Sequence, residues 1–368
     1  MSDFLIVGGG VIGLLMAREL AKEGATVTVV DSGECCREAS WAGGGIVSPL
    51  YPWRYSPAVT ALASCAQERY PALASELLDE TGVDPELEVT GLLMLDAQDS
   101  DEALLWGKSS KRIIVEREAK ELASQEPHLA KRFKHGLWMP EIANIRNPRL
   151  GQALRRSALL DPRVTVLEHT SIKGFVRRED RLLGVVAEQG SEQKELKAGE
   201  FIVAAGAWSG NLLSQLNIEL PVEPVKGQML LFRPPQRLLN SIVLSAGRYL
   251  IPRRDGHLLV GSTLEHAQFD KSTTEEALQS LLESATGLVP ELNNYPVVKQ
   301  WAGLRPGAPE GIPYIGRVHG FSNLSVNAGQ YRNGLVLAPA SASLLASILL
   351  NKPSAIDASP YSLQRKAV

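Results

Sequence analysis

Residues 4–31, FLIVGGGVIGLLMARELAKEGATVTVVD, restrict what this chain can fold into more than any other stretch. Residues 4–7 form a short apolar run suited to a buried parallel strand. The run ends in Gly8-x-Gly10-x-x-Gly13, after which leucines and alanines recur at helical spacing as far as Gly24, a predicted C-cap. Residues 25–30 predict a second strand, closed by Asp31. Gly8 permits the tight strand-to-helix turn, Gly10 lets backbone approach a pyrophosphate, and Gly13 lets the helix pack close to the strand. The helix start turns unpaired N–H groups and a positive dipole end toward phosphates. Asp31 stands where a carboxylate can accept hydrogen bonds from an adenosine ribose. Three glycines alone are weak evidence, but here a strand precedes them, a helix follows, and an acid ends the next strand. The unit binds a dinucleotide, without separating NAD from FAD.

FIVAAGAWS (201–209) and NLSVNAGQYRNGLVLAP (323–339) repeat the theme of a buried strand entering a small-residue turn and a helix. The material between the three turns is richer in strand patterns, including a predicted hairpin in LEVTGLLML (87–95) and another at Asp255-Gly256. One domain is therefore expected to be interrupted by pieces of the other. A length of 368 residues also exceeds what one core usually serves. Ser56-Pro57 predicts a capped helix to about residue 80, and Thr273-x-x-Glu276 a capping box. Gly43, Gly44 and Gly45 in EASWAGGGIVSPL (38–50) cost chain entropy, which predicts close approach of backbone to a bulky ligand.

A net charge of −3 argues against nucleic-acid binding through a basic field. Three cysteines and six histidines show neither a disulfide framework nor metal-ligand spacing, so no metal site is expected. The N-terminal apolar run lacks a basic leader and stops at glycines, unlike a signal peptide. Residues 335–350 are apolar but interrupted, and shorter than the ~18 residues of a membrane span, so a packed helix is expected. A cytoplasmic protein with no membrane partner is the expectation.

WAGLRPG (301–307) places Arg305 in an otherwise apolar setting. A buried guanidinium without a partner is costly. Either a protein carboxylate such as Glu310 sits beside it, or its partner arrives from outside.

With GGGVIG (8–13), ASWAGGGI (39–46), LEHTSIKG (167–174), VAAGAWSG (203–210), RYLIPR (248–253), WAGLRPGAPEGIPYIGR (301–317) and GQYRNGLVLAP (329–339), the chain resembles the D-amino-acid oxidase family of flavoproteins over essentially its whole length. YRNG is similar to the glycine-oxidising branch of that family. The resemblance implies an α/β fold: a discontinuous Rossmann-like FAD-binding domain (1–85, 146–216 and 302–368) and a β-rich substrate-binding domain with an antiparallel sheet (86–145 and 217–301). It implies that Val11 and Ile12 face the FAD pyrophosphate, together with Gly8, Gly10 and Gly13. Asp31 and Ser32 would face the ribose, Asp31 replacing the family's usual glutamate. Ala39, Ser40, Gly43, Gly44 and Gly45 would run past the flavin, Ile172 would hold the adenine through backbone, and Ala205 and Gly206 would lie near the cofactor. Gln330, Tyr331, Arg332, Asn333, Gly334, Leu335 and Val336 would cover one side of the isoalloxazine. No cysteine follows Cys65, so the FAD is expected to be noncovalent.

Arg305 would then anchor a substrate carboxylate, with Tyr249 as a second donor and Arg332 as a second charge. The implied reaction is hydride transfer from Cα of glycine, sarcosine or a small D-amino acid to flavin N5, with O2 as acceptor and no side chain as acid or base. Leu264 falls where the pocket wall varies in the family. Family members are often tetrameric, which implies a homo-oligomer. Sarcosine oxidase and D-amino-acid dehydrogenase chemistry remain open alternatives.

Overall fold

The computed structural model describes residues 1–365; residues 366–368, the end of the expected 302–368 segment, lie outside the described residues. One sheet has six strands in the order Tyr314–Arg317, Leu324–Ala328, Ala198–Val203, Ser2–Val7, Val27–Val30 and Val164–Leu167. Neighbours run parallel except Tyr314–Arg317, which is antiparallel to Leu324–Ala328. Both faces of this sheet are covered, as a parallel sheet requires. Ile6 points into one core with Met16, Leu20, Leu62 and Leu345, while Leu5 and Val7 point into another with Phe201 and Leu213. That alternation is the period of two expected of a strand.

Helices Val11–Lys22, Pro57–Thr81 and Gly334–Leu349 pack together on the first face. The long middle one starts where expected. Ser56 Oγ accepts from the Val59 N–H at 3.5 Å, Pro57 takes the first helical position, and Gly82 closes the helix at φ +69°. Among the described residues, only the helical stretch Tyr331–Leu349 is long and apolar enough to cross a membrane by length and composition; most of it is buried inside the fold. The expected packed helix is therefore present.

The second large sheet has eight strands: Val297–Gly307, Glu223–Phe232, Leu258–Gly261, Arg248–Pro252, Ile242–Ser245, Leu92–Leu95, His135–Met139 and Val115–Glu118, in that order. It is antiparallel except where Ile242–Ser245 meets Leu92–Leu95. The hairpin at Asp255-Gly256 forms as expected. The one expected over 87–95 does not. Glu88–Val89 pairs with Ala143–Asn144, whereas Leu92–Leu95 lies between His135–Met139 and Ile242–Ser245. All four residues of Leu92–Leu95 are fully buried, and that burial needs a central strand rather than an exposed hairpin partner. The predicted capping box also shifts by one residue: Thr274 Oγ1, not Thr273, accepts from the Ala277 N–H at 3.2 Å. The strand Val297–Gly307 pairs along Glu223–Phe232 throughout, so the expected boundary between 301 and 302 falls inside it.

Candidate active site

Parallel pairing sets Val7 opposite Val30 and Val203, and Val203 opposite Val326, so the three glycine-bearing turns leave the sheet on one side. Ligands of open α/β sheets bind outside these carboxyl ends. Here a cavity of about 620 Å³ begins at Val7 and Gly8 and extends to Tyr249 and Arg305 on the eight-stranded sheet.

The expected residues converge on it. Gly8, Gly10, Val11, Ile12, Asp31, Ser32, Ala39, Ser40, Gly43, Gly44, Gly45, Ile172, Ala205 and Gly206 all line the cavity. So do Gln330, Tyr331, Arg332, Asn333, Gly334, Leu335, Val336, Tyr249 and Arg305. Gly13 is not in the lining; it lies behind the turn, where a Cβ would come 1.8 Å from the Gly8 carbonyl oxygen. Leu264 is also outside the lining, and 47% exposed.

At the nucleotide end, Gly8 has φ +110°, and a Cβ there would meet the Ala204 carbonyl oxygen at 2.4 Å. Only glycine satisfies both the torsion and the space. Asp31 Oδ2 accepts from the Gly9 N–H at 2.7 Å and Oδ1 from the Gly33 N–H at 2.8 Å. Burial pushes the Asp31 carboxyl upward in pKa, while these two N–H donors oppose it. Each carboxylate oxygen has lone pairs to spare for a ribose hydroxyl. Ser40 Oγ accepts from the Val11 N–H at 2.9 Å, tying the 39–46 segment to the helix start. Burial raises the Cys36 thiol to about 12, so this cavity-lining sulfur stays protonated.

The glycine segment is braced by a residue that the sequence reading missed. Arg253 is buried and donates to Asn144 Oδ1 at 2.8 Å, to the Ile145 carbonyl at 3.0 Å and to the Gly44 carbonyl at 2.7 Å. Burial, aided by the charge of Arg146, lowers its pKa to about 10. Gly45 turns at φ +80°, with the Ile145 carbonyl oxygen 2.0 Å from where a Cβ would be. Two buried polar atoms in the lining lack hydrogen-bond partners: Asn147 Oδ1 and Asn333 Nδ2. A buried polar group left unpaired is unusual. The long cavity and the glycine cradle fit an FAD.

At the other end, Arg305 donates to the Lys226 carbonyl at 3.2 Å and to Ser262 Oγ at 2.6 Å. Neither partner is charged, and among the described residues no carboxylate pairs with it. Desolvation lowers its pKa, and the nearby charge of Arg332 acts in the same direction. Tyr249 is buried against Gly44 and Gly261, and its hydroxyl has only the Met229 sulfur, at 3.5 Å, as acceptor. Thioether sulfur is a weak acceptor. Arg332 is exposed at the cavity rim. The cavity therefore offers one half-buried cation without a charged partner among the described residues and, beside it, one underused phenol. Ser262 was not among the expected residues; its only sequence signal is its place next to the strand carrying Gly261.

The family pattern described as DAO, FAD dependent oxidoreductase, matches residues 3–348. Glycine oxidase of Pseudomonas aeruginosa is 53% identical over 358 residues, covering 97% of each chain, and glycine oxidase of Pseudomonas putida is 54% identical with the same coverage. The crystal structure of glycine oxidase from Geobacillus kaustophilus superposes with a TM-score of 0.92 at 30% identity, covering 99% of both chains. With a cradle that fits FAD and a match running nearly end to end, the chain belongs to the DAO family of FAD-dependent oxidoreductases and is an FAD-dependent amine oxidase.

Proposed function

We propose that this enzyme oxidises glycine and other small amines, among them sarcosine and small D-amino acids. The carrying observation is Arg305, a half-buried guanidinium that donates to a carbonyl and a hydroxyl, both neutral, and has no carboxylate partner among the described residues. An amino-acid carboxylate supplies the missing negative charge through two parallel hydrogen bonds. Tyr249 adds a third, and Arg332 raises the local positive potential at the rim. Together they hold Cα at a fixed place in the cavity and leave the amine facing its interior. FAD held along Gly8, Asp31, Gly43 to Gly45 and Gln330 to Val336 would supply the oxidant, a two-electron acceptor for the hydride that leaves Cα, with O2 as the final acceptor and hydrogen peroxide as its product. The oxidised substrate is an imine, which water converts to glyoxylate, or to a keto acid from a larger primary amine, with release of ammonia, or of methylamine when sarcosine is the substrate. No side chain serves as general base in this reading; the amine enters neutral. The reaction serves thiamine thiazole synthesis. Residues 1–85, 146–216 and 308–365 form the FAD-binding domain, and residues 86–145 and 217–307 form the substrate-binding domain.

Anaerobic mixing with glycine, sarcosine, D-alanine and D-proline, followed by admission of air, tests this. Glycine is expected to bleach the flavin absorbance, and air to restore it rapidly with peroxide release. Bleaching by bulkier D-amino acids alone, or sluggish reoxidation, would shift the reading to a D-amino-acid dehydrogenase. Should no amine bleach the flavin, the account of Arg305 fails.

Tyr249→Phe keeps the ring against Gly44 and Gly261 and removes only the hydroxyl. It is expected to raise KM for glycine about tenfold, the worth of one hydrogen bond to a charged acceptor. Oxygen uptake at varied glycine concentration measures it.

A further inference from the structure

Gly227 interrupts the strand Glu223–Phe232 for no reason of its own backbone, since its φ lies outside the left-handed region. Glycine inside a strand costs chain entropy and packs nothing, so it marks a place where something approaches closely. Here that something is a side chain. Gly227 pairs with Gly303, and Arg305 lies two residues further along the same strand, so all three share one face of the sheet. The Arg305 side chain folds back over the bare backbone. A Cβ at position 227 would stand 2.2 Å from its Nη2, 2.3 Å from Nη1 and 2.4 Å from Cζ, and these are its three nearest atoms.

We propose that Gly227 is a positioning residue for the reaction: its missing side chain is the seat on which the Arg305 guanidinium lies flat, at the depth that receives the carboxylate of a short amino acid. This rests on the reading of Arg305 as the carboxylate anchor. Ser262 Oγ and the Lys226 carbonyl hold the guanidinium down on that seat. An added methyl meets the mobile end of a long side chain rather than backbone, so it displaces the anchor and leaves the sheet intact. The effect falls on binding and not on folding.

Gly227→Ala holoenzyme is therefore expected to keep its FAD content and melting temperature. Acetate titrated into the oxidised holoenzyme, followed by the flavin's visible spectrum, is expected to bind about 10- to 100-fold more weakly, the range for hydrogen bonds to a charged group. KM for glycine rises by a similar factor, with a smaller change in kcat. In an Arg305→Ala background the same substitution adds nothing, because the group it displaces is gone. Wild-type acetate affinity in Gly227→Ala, or additive losses in the double variant, overturns the proposal. So does loss of FAD or a marked fall in melting temperature, which would mean that the added carbon strikes more than the guanidinium. If Arg305→Ala itself binds acetate normally, the anchor reading fails and the seat with it; if Arg305→Ala weakens binding and Gly227→Ala does not, the seat alone fails.

Discussion

Arg305→Ala is expected to cut kcat/KM for glycine while leaving the folded enzyme as stable as before, or more so. Truncating one partner of a desolvated, hydrogen-bonded charge pair costs about 2–5 kcal/mol of binding. At about 1.36 kcal/mol per decade that is a loss of roughly 30- to 5,000-fold. Much of it should appear in KM, since the carboxylate is held equally in ground and transition states. A share should fall on kcat, because the same contact fixes where Cα sits. Stability moves the other way. Without substrate, the guanidinium is a partly buried cation whose partners are both neutral, and its desolvation goes uncompensated. Arg305→Met, which fills the space without a charge, should therefore melt no lower than the wild type. Arg305→Lys keeps the charge but not the planar fork, and should lie between the wild type and Arg305→Ala in activity. Steady-state oxygen uptake and thermal unfolding of the three holoenzymes decide it. Full activity in Arg305→Ala would place the carboxylate elsewhere.

The parts of this molecule that are legible in its sequence are those whose causes are local. The Gly8 turn can be read because its positive φ is a demand on one residue within a short strand–turn–helix pattern. The helix over Pro57–Thr81 can be read because Ser56, Pro57 and Gly82 each act within one turn of its ends. Which strands lie side by side is a different matter. Glu88–Val89 and Leu92–Leu95 look like a hairpin, yet they enter different sheets because Leu92, Leu93, Met94 and Leu95 are all buried between distant strands.

The site divides in the same way. Arg305 stands out in sequence as a charge among apolar residues, whereas Arg253, followed by Arg254 and Asp255, does not, yet both need partners. One is satisfied by the carbonyls of Ile145 and Gly44 and the Asn144 amide; the other keeps room for a ligand. Sequence shows that a buried guanidinium needs a partner. It does not show whether the fold supplies one. Gly227 is the converse case: a glycine in a strand pattern signals a close approach, and only the register with Val297–Gly307 names what approaches. Leu264, whose part in the pocket the sequence leaves open, lies outside the cavity lining and is about half exposed.

Gly13→Ala is expected to yield protein that holds little or no FAD and melts well below the wild type, although Gly13 lies outside the cavity lining. The reason is hard contact. A Cβ there would sit 1.8 Å from the Gly8 carbonyl oxygen and 3.0 Å from its carbonyl carbon, and both are backbone atoms that no rotamer change can move. The helix Val11–Lys22 would have to rise off the strand Ser2–Val7. It cannot do so freely, because Gly334–Leu349 and Asn147–Leu160 pack against it. Overpacking of this kind typically costs about 1–3 kcal/mol, and more where the surroundings cannot relax. The second loss compounds the first. Raising the helix start draws the Val11 N–H away from Ser40 Oγ and moves the dipole end that faces the phosphates, so bound FAD no longer stabilises the fold by mass action. Gly174→Ala is the matched control, since a Cβ at that strand position meets nothing within 4 Å. The ratio of flavin to protein absorbance, with a thermal melt in the presence and absence of added FAD, separates the outcomes. A Gly13→Ala protein that is fully yellow and melts with the control would mean that the helix start has slack the packing does not show.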